Sequence, residues 1–320
     1  YYAPEISPYL SETILHSPGK EIEMLDELLP KLAAKAVDGK KGALWVGDQY
    51  LANPQRLAIL EKLLQFCHNT PHISLNIMEG RGNSMGARLA GMRPDLGPFG
   101  EELAFPGMNP LQVLESAVKS GWDLLYVAGA NPALQFSSKL WTEARKKIDF
   151  LVVQDLFMNE TAQQADVILP TLSFVEKGGC FINIEGRVQT LMPGKDLPEG
   201  LFSDGDIFLQ IAKKLNFFLS IDPEIGDRLK VSRIALNRPE KLDVCQNSPS
   251  QQKEGALFAT FSRALLDRGV RIKHNPHLSA LVQEPRLRLS PQEGKKRGVK
   301  TGDIVKVING DKMLTGKVLI

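Results

Sequence analysis

Short apolar runs alternate with amphipathic stretches through the first two thirds of this chain, and that alternation constrains the fold more than any other feature. The runs are 42–49 (GALWVGDQ), 72–77 (HISLNI), 123–130 (DLLYVAGA), 150–155 (FLVVQD) and 166–170 (DVILP). Strands this short and apolar, separated by helices, read as strands buried on both faces of a parallel sheet built from βαβ units. The intervening stretches carry helical spacing. Ile22, Leu25, Leu29, Leu32 and Ala36 share one face of a helix that Pro30 is expected to kink or interrupt, because proline removes an amide donor. Pro54 opens a helix with Leu57, Leu60, Leu64 and Cys67 on one side. Leu111, Leu114 and Val118 mark another helix, a further one runs to about Lys147, and Ser203 caps a helix with Ile207, Ile211 and Leu215 along its stripe.

The expected fold class is therefore α/β: a doubly wound, mostly parallel sheet. Ligands of such a sheet lie at the carboxyl ends of the strands, so GDQ, MEGRGNSMG, GANP, QDLFMNET and LPTLSF are expected as neighbours in one crevice. After this region the text changes character. PRLRLSP, GDIVKVING and KMLTGKVLI alternate at period two and read as β-structure. The expected division is an irregular segment with a leading helix over 1–41, the α/β domain over 42–220, a connector with a short helix near 257–266 over 221–273, and a β-segment over 274–320.

Composition excludes several classes of function. Across 320 residues the net charge is only +2, so no global field draws the chain onto nucleic acid or an anionic membrane. The basic run of Lys295, Lys296, Arg297 and Lys300 has no interleaved aromatic residues and reads as a solvated helix end. No apolar run has the length of a membrane span, and no secretory signal is visible at the start. Cys67, Cys180 and Cys245 follow no CxxC spacing, so a four-cysteine metal or iron-sulfur site is not expected within this chain.

Local motifs each carry a plain reading. Gly80, Gly82 and Gly86 give GxGxxxG, which is not the dinucleotide spacing; a tight turn or a close backbone approach explains them. Cys180 has no histidine near it in sequence and reads as a small apolar filler. Cys67 and His68 read as a helix end, and His274 with His277 lacks the additional ligands that a metal needs. No catalytic residue and no metal ligand is assigned.

The run VVQDLFMNETAQQADVILPTLSFVEKGGCFINIEGRVQTL resembles the signature of the molybdopterin oxidoreductase superfamily. GNSMGARLAGMRPDLGP and VAGANPAL also match its pattern, and RLRLSPQEGKKRGVKTGDIVKV is similar to the start of that superfamily's C-terminal double-psi β-barrel. The resemblance implies that the last segment is part of such a barrel. Members holding the paired pterin cofactor commonly read NxERRVQ where this chain reads NIEGRVQ, with Gly186 at the first arginine position. That form is similar to the branch containing the large iron-sulfur subunit of NADH:quinone oxidoreductase, which carries the fold without molybdenum. Glycine offers only backbone where arginine would offer a planar donor fork for phosphate.

The resemblance implies four cofactor-binding candidates if a pterin is retained: Asn131, Asp155, Asn183 and Arg187. Alternatives stand beside it. Asp155 can cap the turn that follows its strand, Thr161 can cap a helix start with Glu160, and Arg187 can pair with Glu185 or Glu176. The expected role is a scaffold portion of a respiratory complex I peripheral arm, at the inner face of the plasma membrane, with other subunits of a redox complex as partners. No cofactor is expected in this chain; iron-sulfur clusters are expected in other segments or subunits. The alternative is the cofactor-binding part of a molybdenum or tungsten formate dehydrogenase.

Overall fold

A computed structural model describes residues 10–16, 19–36, 41–47, 50, 53, 55–78, 80–194, 199–219, 270–282, 286–309 and 312–320. The chain divides into two compact units, one formed by residues 21–250 and the other by residues 1–20 with 251–320. The short helix expected near 257–266, and the rest of the expected connector up to residue 269, lie outside the described residues, which resume at Val270.

In the larger unit, helix α1 (Glu21–Lys35) precedes strand β1 (Gly42–Val46), helix α2 (Arg56–Asn69) and strand β2 (Ile73–Ile77). Helix α1 continues through Pro30, so the proline does not interrupt it. Pro30 lies on the exposed face, where water can replace the missing bond. Strands β1 and β2 pair in parallel, Gly42 against Ile73 through Val46 against Ile77. Leu25, Val46, Ile59 and Leu63 form one core cluster, and Phe66, Cys67 and Ile73 another. The buried stripe of α2 is thus Ile59, Leu63, Phe66 and Cys67, while Leu57 is exposed. Apolar residues cover more than one face of this helix, so spacing alone could not select the stripe.

Helix α3 (Ser84–Leu89) follows, then α4 (Pro110–Ser120), strand β3 (Trp122–Ala128), a single turn at Pro132–Gln135, helix α5 (Ser138–Arg145), strand β4 (Ile148–Asp155) and strand β5 (Val167–Pro170). A capping box starts α4: the Gln112 amide donates to Asn109 Oδ1 at 3.0 Å, and the Asn109 amide donates to Gln112 Oε1 at 2.9 Å. Strands β3, β4 and β5 form a three-stranded parallel sheet with β4 at its centre. Its core holds Leu114 and Ala117 of α4, Trp141 and Ala144 of α5, and Val127, Leu151 and Val153 of the sheet.

Two expectations fail here. The five strands make two separate parallel sheets, β1–β2 and β3–β4–β5, because each pair of helices covers its own strands with its own core. Nor are the strands buried on both faces. Leu124 and Phe150 are cross-strand partners on the face away from α4 and α5, and they are 52% and 44% exposed.

Strands β6 (Gly179–Ile182) and β7 (Val188–Leu191) form an antiparallel hairpin, and helix α6 (Asp204–Lys214) follows. Ser203 caps α6 by accepting from the Asp206 amide, and Ile207 is buried, but Leu215 falls at the exposed C-cap and not on the stripe. In the smaller unit, after helical turns at Val270–Lys273 and Pro276–Ser279, strand β8 (Arg286–Arg288), helix α7 (Pro291–Arg297), strand β9 (Ile304–Asn309) and strand β10 (Lys312–Leu319) follow. Their order is β8–β10–β9, with β10 parallel to β8 and antiparallel to β9. The described residues form this open sheet and no barrel. Lys295, Lys296 and Arg297 occupy the last turn of α7, as a solvated helix end requires.

Candidate functional site

Strand β4 ends in Gln154 and Asp155, and successive strand residues point to opposite faces. Each begins a polar network of its own. Asp155 Oδ1 accepts from the amides of Leu156 at 2.6 Å and Phe157 at 3.3 Å, and its Oδ2 accepts from Asn159 Nδ2 at 2.8 Å. Asp155 therefore caps the turn after its strand. Asn159 Oδ1 in turn accepts from the amides of Thr161 at 3.0 Å and Ala162 at 2.9 Å.

Thr161 is fully buried, and its hydroxyl donates to Asn131 Oδ1 at 2.8 Å while accepting from the Ala133 amide at 3.0 Å. It does not cap the 3-10 turn at Ala162–Gln164, as the sequence suggested; Asn159 supplies that acceptor. Asn131 Nδ2 donates to Glu160 Oε2 at 2.6 Å. Two of the four candidates, Asn131 and Asp155, are thus joined through Asn159 and Thr161 into one chain of hydrogen bonds between the ends of β3 and β4.

The second network lies on the other face. Gln154 is fully buried; its Oε1 accepts from the Tyr126 hydroxyl at 2.5 Å and its Nε2 donates to Asp204 Oδ1 at 2.8 Å. The Lys177 ammonium pairs with Asp204 Oδ2. Burial pushes the Asp204 carboxyl up, but hydrogen bonds from Lys177 and Gln154, the Lys177 charge and Thr171 outweigh it and hold the group below the usual carboxylate range. Burial and then the Asp204 charge push Tyr126 up. Nothing in the residue pattern grouped Gln154, Asp204 and Lys177. The available signal was a glutamine inside an apolar strand, which needs a buried partner.

The other two candidates share the hairpin tip. Asn183 Oδ1 accepts from the amides of Glu185 at 3.0 Å and Arg187 at 2.9 Å, and the Gly186 amide donates to the Asn183 carbonyl at 2.9 Å. Gly186 is buried and has φ 74°, a left-handed conformation that favours glycine. The Arg187 side chain is 65% exposed and lies 3.6 Å from Glu185. Glu176 serves elsewhere, accepting from the Ser173 amide and hydroxyl. Asn83, in the glycine loop, reaches the hairpin: its Nδ2 donates to the Cys180 carbonyl at 3.1 Å and its Oδ1 accepts from the Ile182 amide at 2.9 Å.

Among the described residues no group of three or more His, Cys, Asp or Glu side chains could hold a metal ion. No helix among them is long and apolar enough to cross a membrane.

A mixed α/β unit with small parallel sheets, polar side chains gathered at strand ends and a hairpin carrying the NIEGRVQ run point to one class of protein. The molybdopterin oxidoreductase family model matches residues 9–214, more than half of the chain, and the chain belongs to that family. Its relatives include the NADH-quinone oxidoreductase G 2 subunit of Rhizobium meliloti (strain 1021), 31% identical over 52% of this chain and 22% of that protein. The alpha subunit of the F420-dependent formate dehydrogenase of Methanocaldococcus jannaschii is 27% identical over 66% of this chain and 36% of that protein. The NADH-quinone oxidoreductase G subunit of Mycobacterium bovis is 24% identical over 91% of this chain and 38% of its own length. The chain thus spans well under half the length of these relatives. The solved structure of acetylene hydratase from Pelobacter acetylenicus matches at a TM-score of 0.45 and 15% identity, covering 70% of this chain and 38% of that one.

Proposed function

We propose that this chain is the molybdopterin oxidoreductase-like portion of the large iron-sulfur subunit of a respiratory NADH:quinone oxidoreductase. In this role it is a scaffold beside iron-sulfur clusters carried by other segments or subunits, at the inner face of the plasma membrane. The open sheet β8–β10–β9 is then the first part of a double-psi β-barrel, and the strand-end crevice is an inherited cradle that serves packing.

The observation that carries this reading is the commitment of the candidate cofactor groups to the protein itself. A pterin dinucleotide needs donors and acceptors left open for its ring and phosphates. Asp155 spends both carboxylate oxygens on its own turn, Asn131 spends both ends of its amide on Thr161 and Glu160, and Asn183 spends its oxygen on the hairpin backbone. Of the four candidates, Arg187 alone holds its charged group mostly in solvent, and Gly186 stands at the first arginine position of the cofactor-bearing pattern. These residues fit the cofactor poorly. The NADH-quinone oxidoreductase relative that covers 91% of the chain supports the same reading.

A formate dehydrogenase-like role is the second reading, favoured by the relative from Methanocaldococcus jannaschii. Metal and pterin analysis of the intact assembly, with identification of its copurifying subunits, separates the two. The scaffold reading expects iron-sulfur centres and a quinone-site subunit without molybdenum, tungsten or pterin on this chain. Stoichiometric metal with pterin bound here would sink it.

A further inference from the structure

We propose that Asn83 is the positioning residue of the β6–β7 hairpin and that Gly86 is a glycine to give Asn83 room. Asn83 stands at the N-cap of α3, where asparagine ordinarily turns its side chain onto its own helix. Here the side chain makes no cap bond. It turns to β6, donating to the Cys180 carbonyl and accepting from the Ile182 amide, the two bonds that a neighbouring strand would make. One amide thus takes the place of a strand along the edge of the hairpin.

The glycine follows from this placement. A Cβ on Gly86 would lie 2.2 Å from Asn83 Oδ1, 2.9 Å from its Cγ and 3.2 Å from its Nδ2. The clash is with the end of a flexible side chain, so an alanine is accommodated by moving the amide and not by moving backbone. Moving the amide breaks both bonds to β6. Gly86 therefore acts on the hairpin through Asn83. By contrast, a Cβ on Gly80 or Gly82 would meet nothing within 4 Å. Of the three glycines, only Gly86 is required by a close approach. The loop and the hairpin, distant in sequence, are thereby joined by the two bonds of one side chain.

The anchoring of the hairpin by Asn83 does not rest on the scaffold reading. Amide exchange across residues 179–191, measured by mass spectrometry in the full-length protein without added ligand, tests it. Asn83→Ala is expected to speed exchange of the Ile182 segment about tenfold or more, since it removes two hydrogen bonds from one strand edge. Gly86→Ala is expected to do the same, and the double variant to add less than about twofold, because both changes remove one interaction. Asn83→Asp keeps the volume and the acceptor but sets a carboxylate against the Cys180 carbonyl, so it is expected to loosen the hairpin as alanine does.

Additive single effects, an unchanged hairpin in Gly86→Ala, or an Asn83→Asp hairpin as protected as wild type would each overturn the proposal. Exchange in α4 and β3 reports whether the fold itself survives. Should Gly86→Ala unfold the chain, the Asn83→Asp and Asn83→Ala pair still decides, since a packing role predicts protection in the first and loss in the second. Detection of a pterin on the chain would overturn the scaffold reading and leave this cycle untouched.

Discussion

At the corner formed by residues 155–161, asparagine, threonine and aspartate side chains bond to one another and to backbone, with Asn159 and Thr161 out of reach of water. At the hairpin tip, residues 183–187, asparagine bonds to local backbone and the arginine stays in solvent. The residue types are similar, but the energetic stakes differ. A polar group buried without a partner costs about 1–3 kcal/mol, whereas an exposed ion pair contributes about 0–1 kcal/mol. The corner is therefore a structural lock between β3 and β4, and the tip is a shape held by backbone that presents an exposed guanidinium to whatever lies outside.

Substitutions put this contrast at risk. The largest effect is expected at the corner: Asn159→Ala removes the acceptor for two buried amides, so chemical denaturation should show a loss of about 3 kcal/mol. A loss below about 1 kcal/mol would mean that water replaces the asparagine and that the corner is not closed. At the tip, Gly186→Arg restores the arginine of the cofactor-bearing pattern but forces a side chain onto φ 74°, at a cost of about 1–2 kcal/mol. If its thermal midpoint equals that of wild type, the backbone there is soft and the tip is less fixed than its hydrogen bonds indicate.

A pH titration addresses the lock on the opposite face of β4. Because the folded Asp204 carboxyl is held below its ordinary range, its contribution is fully present at neutral pH. It is lost as the pH falls from the unfolded carboxylate range through the lowered folded value. Thermal midpoints followed from pH 7 into the acid should fall less steeply for Asp204→Asn than for wild type; parallel curves would show that Lys177 and Gln154 do not favour the charged form. The smallest effect is expected for Arg187→Ala. With the pair 65% and 58% exposed, its removal should change stability by about 0.5 kcal/mol or less in the same denaturation experiment. A change above about 1 kcal/mol would place Arg187 among the locking groups.

Much of this was legible in the residues. The apolar runs ending at Val46, Ile77, Ala128, Asp155 and Pro170 are strands, because short runs of Leu, Val and Ile bounded by helical spacing leave a clear pattern. Asp155 as a turn cap and Glu185 as the partner of Arg187 were also among the alternatives that sequence offered. Thr161 was not legible: it sits where a cap would, but bonds to Asn131 across the fold. Gln154 with Asp204, and Asn83 with the hairpin, escaped for the same reason, since the partners are brought together only by folding.

Local periodicity and an ordered string of residues were enough to mark the main strands and helices, the period-two segments near the end, and the family to which the chain belongs. Other features appeared only with the fold: the split of the strands into two parallel sheets, the buried face of α2, the left-handed Gly186, and the room that Gly86 makes for Asn83. Each depends on contacts that local spacing does not encode, where the favourable arrangement is set by packing and hydrogen-bond satisfaction and leaves no periodic trace along the sequence.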